Sequence, residues 1–100
     1  MNKNFLKQAQ QMQARLAKVQ EELETETVAA TSGGGAVKVV ATGKQTIESI
    51  VIDPSAVDPE DVEILQDMVL AAVNDALAKS QELVQERIGA ITGGMKLPGM

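Results

Sequence analysis

Residues 36–52 read AVKVVATGKQTIESIVI, and the fold turns on this stretch. Ala36-Val37-Lys38-Val39-Val40-Ala41-Thr42 is a β-branched run, set off by Gly33-Gly34-Gly35 before it and Gly43-Lys44 after it. From Gln45 the pattern resumes with Ile47, Ile50, Val51 and Ile52. Two such runs around a short glycine-containing connection predict a β-hairpin, with Gly43 taking the φ > 0 position of the turn. Asp53-Pro54 closes the second strand, because Pro54 has no N–H to donate to a ladder. Upstream, Thr25 to Thr31 is a candidate third strand, and the glycine run between it and the hairpin reads as a hinge or bulge.

Working outward, Asn4 to Thr27 contains no Gly or Pro, and Phe5, Ala9, Met12, Leu16, Val19 and Leu23 recur at alternating steps of four and three. These six side chains fall within about 80° of helical arc, a heptad-like seam that is narrow for a helix deep in a core and suited to another helix. On the other side, Asp58-Pro59-Glu60-Asp61 has the form of a helix start: a carboxylate N-cap, proline at the first helical position and acids facing the positive end of the dipole. Val62, Leu65, Val69, Ala72, Val73, Ala76, Leu77, Leu83, Val84 and Ile91 then mark a broad apolar face up to about Ile91. The expected class is α+β in the order α-β-β-β-α, a small antiparallel sheet with two long helices. Residues 1–92 form the single domain, and 93–100 a flexible C-terminal tail.

Helices of about 23 and about 32 residues are roughly 35 and 48 Å long, whereas a strand of about 7 residues spans roughly 23 Å. The helices must therefore overhang the sheet. An apolar face that runs past its own sheet needs another chain, which predicts a homodimer with Phe5, Met12, Leu16, Val19 and Leu23 at the interface.

Composition narrows the chemistry. The chain has 100 residues with no Cys, His, Trp or Tyr and one Phe, while Leu, Ile, Val and Phe make up 26 of them, enough for one small folded domain. Without His or Cys there is no neutral-pH imidazole base, no thiolate and no ordinary zinc or iron–sulfur site, so neither an enzyme nor a cofactor or small-molecule site is expected. The acids Asp53, Asp58, Glu60, Asp61 and Glu63 lack the spacing of a calcium loop, and Gly43-Lys44 lacks the upstream glycine and following Ser or Thr of a phosphate loop. No apolar run approaches the roughly 20 residues of a membrane span, and Met1-Asn2-Lys3-Asn4 does not open a secretory signal, so a cytoplasmic protein is expected.

Charge is segregated within a formal total of −5. Lys3, Lys7, Arg15 and Lys18 precede every acid, and Glu21, Glu22, Glu24 and Glu26 follow at once. On a helical wheel the four cations lie within about 120° of arc, nearly opposite the Phe5/Leu23 seam, with Gln10 and Gln11 among them. Such an arc could meet phosphates, although basic residues on an amphipathic helix are usually only solvating. An acidic chain is repelled by DNA as a whole, so binding would depend on local basic patches, doubled by dimerisation, and would weaken with salt. With one Phe and no Trp or Tyr, stacking on single-stranded bases is effectively unavailable, and contact with a duplex backbone remains. A helix–hairpin–helix order with an apolar seam also suits a prefoldin-like coiled-coil chaperone or protein-interaction adaptor, though such arms would want matched heptads in both helices.

Several segments carry a resemblance. Lys7-Gln8-Ala9-Gln10-Gln11-Met12-Gln13, Gly33-Gly34-Gly35-Ala36-Val37-Lys38-Val39, Gly43-Lys44, Ile52-Asp53-Pro54, Leu65 to Ala76 and the closing Leu97-Pro98-Gly99 together resemble the YbaB/EbfC family of bacterial nucleoid-associated proteins, in order along essentially the whole chain. The resemblance implies a cytoplasmic, nucleoid-located homodimer of tweezer-like outline that binds double-stranded DNA with limited sequence preference, organises the nucleoid or regulates genes, and performs no catalysis. It carries no contact residues with it. From the charge pattern, Lys3, Lys7, Arg15 and Lys18 are the first candidates for phosphate contact, with Lys79, Arg87 and Lys96 second.

Overall fold

The computed structural model describes residues 3–93. Helix α1 (Lys3–Leu23) is followed by strands β1 (Thr27–Ser32), β2 (Val37–Thr42) and β3 (Ile47–Ile52) and by helix α2 (Val62–Thr92). A glycine turn at Gly33–Gly35 and a short 3₁₀ turn at Pro54–Ala56 complete the path. The expected α-β-β-β-α order is therefore present. The third strand begins at Thr27 because Glu24, Thr25 and Glu26 make turn hydrogen bonds back to Glu21 and Glu22 before the chain extends. Lys96 and the rest of the expected tail beyond Gly93 lie outside the described residues.

The sheet is antiparallel in the order β1-β2-β3, with Ala30 opposite Val39 and Val39 opposite Ile50. One face is covered by α2. Val37, Val39 and Ala41 of β2 and Ala30 of β1 point into it and are buried with Ala72 and Ala76 of α2. The small side chains on both surfaces let helix and sheet approach closely. Two hydroxyls pin α2 along its length: Ser32 Oγ donates to Met68 O at 2.5 Å, and the fully buried Ser80 Oγ donates to Thr42 O at 2.7 Å. Each hydroxyl, covered where helix and sheet meet, finds its partner in a backbone carbonyl.

Three details depart from the sequence reading. Gly33, Gly34 and Gly35 all have positive φ, at 62°, 67° and 94°, so this segment is a left-handed turn between β1 and β2 that side chains would strain. In the β2–β3 turn the left-handed residue is Gln45, at φ 60°, and not Gly43. Gly43 serves close packing instead: a Cβ there would lie 2.7 Å from both Leu23 O and Leu23 Cδ2, and the Gly43 N–H donates to Glu26 O at 2.9 Å. Gly43→Ala is accordingly expected to destabilise the fold by about 1–3 kcal/mol, since the clash includes backbone that cannot rotate away; thermal denaturation measures it. Third, α2 begins at Val62 and not at Pro59. Asp58 Oδ1 accepts the Glu60 N–H, and Asp58 O accepts the Asp61 N–H, so Asp58-Pro59-Glu60-Asp61 is a β-turn that redirects the chain one turn before the helix. The carboxylate-then-proline cap occurs earlier, where Asp53 Oδ1 accepts from both Ser55 N and Ser55 Oγ at 2.9 Å. Those bonds hold the Asp53 carboxyl below its ordinary pKa, the backbone N–H contributing most.

Arg87 of α2 still reaches Glu26 just before β1, so only the last turns of α2 pass the sheet. Helix α1 is buried at Val19 and Leu23 and projects with every residue from Lys3 to Gln11 exposed. The molecule measures 69 × 28 × 15 Å with a radius of gyration of 19.2 Å, against about 13 Å for a compact chain of this length. A sheet-based body thus carries a projecting helical arm. No helix among the described residues is long and apolar enough to cross a membrane.

Candidate nucleic-acid interface

The arm is anchored at one end. Along the α1 seam, Phe5 is 60% exposed, Met12 and Leu16 are half-buried, Val19 is 8% exposed and Leu23 is 2% exposed. The seam predicted as a dimer interface is therefore split. Val19 and Leu23 are already buried within the chain and cannot also meet a second copy in this conformation, while Met12 and Leu16 are partly covered and Phe5 is available. A heptad pattern carries no information on whether the contacting helix belongs to the same chain.

The seam is buried only at its Val19 and Leu23 end, and the opposite side of α1 faces solvent throughout. Lys3, Lys7, Arg15 and Lys18 are all exposed, on the arc that helical periodicity assigns them. None takes part in an ion pair among the described residues, where the pairs are Lys79–Asp75, Arg87–Glu22 and Arg87–Glu26. Four cations over about 22 Å of helix, with no acid between Lys3 and Lys18, form the most concentrated positive surface of a chain that is otherwise acidic.

The second-rank cations are differently placed. Arg87 is engaged within the chain, its two terminal nitrogens donating separately to Glu22 of α1 and Glu26 just before β1. The Glu22 hydrogen bond, with the nearby Glu26 charge, holds the guanidinium still more firmly protonated than usual, against an opposing effect of burial. Arg87 ties the root of the arm to the sheet, and nothing in its surroundings leaves it turned towards a ligand. Lys79 donates to Ala29 O at 3.1 Å and pairs with Asp75 at 3.7 Å, beside β1 and away from the arc. Lys96 lies outside the described residues.

Arg87 also changes the meaning of the acidic block. Of the four glutamates that follow the arc, Glu22 and Glu26 are paired with Arg87, so only Glu21 and Glu24 confront an approaching anion there. Lys44, which the charge pattern did not single out, is exposed on the β2–β3 turn whose Gly43 packs on Leu23. It adds a cation at the arm's root, and only the long-range contact between turn and helix reveals it. Among the described residues no group of His, Cys, Asp or Glu could hold a metal ion.

The family model described as the YbaB/EbfC DNA-binding family matches residues 1–95. A nucleoid-associated protein of Desulforamulus reducens is 59% identical over 100 residues, covering 100% of this chain and 94% of that one. Another nucleoid-associated protein, of Pelotomaculum thermopropionicum, is 56% identical over 96 residues, covering 96% and 91% respectively. In structure, the chain is similar to an uncharacterized protein from Helicobacter pylori, with a TM-score of 0.62 at 25% identity, over 88% of this chain and 98% of that one.

Proposed function

The chain belongs to the YbaB/EbfC DNA-binding family, and from that premise we propose that it binds double-stranded DNA on the nucleoid as a homodimer, through phosphate contacts made by the outer face of α1. One observation carries the choice of surface: Lys3, Lys7, Arg15 and Lys18 are exposed, on one side of a projecting helix, and outside every ion pair among the described residues. Cations already neutralised by protein carboxylates would release no DNA counterions on binding; unpaired ones would. Four phosphate contacts per arm give a slope of log K against log salt near −3.6, or roughly 150-fold weaker binding per engaged arm between 50 and 200 mM salt. Anisotropy of a labelled duplex of about 30 base pairs, titrated at several salt concentrations, tests this. A slope of that size or steeper supports the reading, and binding indifferent to salt contradicts it. Organisation of the nucleoid and an influence on gene expression follow from such binding as the expected roles.

The homodimer rests on apolar surface away from the arm. Strand β3 is an edge strand that α2 leaves uncovered: Ile50, on the α2 side by its pairing with Val39, is 45% exposed. Val62 and Leu70 of α2 are 50% and 60% exposed near the same end. Isolated exposed apolar residues are ordinary, but an uncovered strand beside an apolar helix flank is surface that a second copy would bury. On this reading the dimer contact lies at the sheet end, with the arms projecting from it. Ile50→Glu combined with Leu70→Glu is expected to yield monomers by light scattering, while Leu16→Asp leaves the mass of the folded protein unchanged. The reverse pattern would return the interface to the α1 seam.

A further inference from the structure

The cationic arc of α1 has an uncharged residue near its centre. Gln11 lies one helical turn from Lys7 on one side and from Arg15 on the other, and two turns from Lys18. It is exposed, and its side-chain amide makes no hydrogen bond with the other described residues. Gln10 and Gln8 sit towards the two margins of the arc, and Gln13 falls outside it. Glutamine is a good helix former that costs little on a solvated face, so its position carries the argument, not its presence.

We propose that α1 lies in the major groove of the duplex and that Gln11 reads an adenine there. This rests on the reading of the arc as the DNA-binding surface and adds base recognition to it. A helix with its side chains is about 10–12 Å across and the major groove about 12 Å wide, so α1 fits if its surroundings allow approach. They do: from Lys3 to Gln11 every residue is exposed. Cations on both sides of the central position would hold the helix in register on the phosphates, and the side chain between them would face the base edges. The glutamine carboxamide offers one acceptor and two donors, matching the donor N6 and acceptor N7 of adenine in a bidentate pair. Guanine presents two acceptors there and cytosine only a donor edge, so the pair favours adenine. In a dimer each arm would read its own half-site.

Selection from a random duplex library, followed by competition titrations, tests the inference on the full-length protein. Wild type is expected to enrich adenine at one position per half-site, with a preference on the order of tenfold over the other bases. Gln11→Ala should abolish that preference while retaining the salt slope, since no phosphate contact is lost. Gln11→Glu should move the preference towards cytosine, whose N4 amino group a carboxylate accepts from, at weaker affinity. Gln10→Ala should change neither. Salt-dependent binding with no base preference in wild type, or an adenine preference that survives in Gln11→Ala, would overturn base reading by Gln11 and leave the phosphate-contact function standing. Absence of duplex binding altogether would overturn both.

Discussion

Replacing Lys3, Lys7, Arg15 and Lys18 together by glutamate is expected to reduce duplex binding below detection at 100 mM salt, with the fold intact. The four positions are exposed, so the exchange touches no buried contact. Glutamate is as good a helix former as lysine or arginine. Electrostatically the change is severe. Wild-type binding draws on the release of about four counterions per arm, and the variant replaces that gain with repulsion over the same surface. Circular dichroism should superimpose on wild type, while anisotropy titrations lose their saturable, salt-dependent phase. By contrast, Arg87→Gln should keep the saturable, salt-dependent phase, because Arg87 is paired with Glu22 and Glu26 and makes no phosphate contact, although binding weakens somewhat as those two carboxylates are freed. A variant set in which Arg87 and the arc behaved alike would mean that the duplex lies on the other side of the arm.

Leu23→Ala is expected to produce the largest loss of stability among single truncations in α1. Leu23 is 2% exposed and is one of the largest fully buried side chains, packed on the β2–β3 turn at Gly43. Truncating a buried leucine costs about 2–5 kcal/mol, the upper end applying where neighbours cannot collapse into the space. Here one wall is turn backbone, which has little freedom to move. Set against a total of roughly 5–15 kcal/mol for a small domain, this is a large fraction, and the thermal midpoint should fall by about 10 °C or more. Hydrogen exchange should locate the effect in α1 first. The contact between α2 and the sheet, through Val37, Val39, Ala72 and Ala76, does not involve Leu23 and should keep its protection longest. Half-buried Leu16, truncated in the same way, should cost less.

These two residues also show what a linear sequence does and does not reveal. The hairpin was legible because Val37 to Thr42 and Ile47 to Ile52 are β-branched runs separated by a turn, and α1 because its apolar spacing is periodic. The arc of four cations follows from the same periodicity, since a helix converts spacing directly into direction. Three things were not legible, each for one physical reason: they depend on residues far apart in the chain. Gly43 looks like a turn glycine until Leu23 is seen against it. Arg87 looks like a free cation until folding brings it to Glu22 and Glu26, 65 and 61 positions away. Val19 and Leu23 look like interface residues until α2 and the turn are found covering them. The start of α2 was misread for a local reason, as Asp58-Pro59 satisfies the chemistry of a cap and of a β-turn equally well.

Whether the outer face of α1 carries DNA binding is tested residue by residue in an amide chemical-shift titration of the labelled protein with a duplex of about 20 base pairs. Perturbations are expected to concentrate between Lys3 and Lys18, diminish in step as salt is raised, and spare β3 and the first turns of α2. Perturbations centred on β3 and the N-terminal half of α2, with Lys3 to Lys18 unmoved, would contradict it.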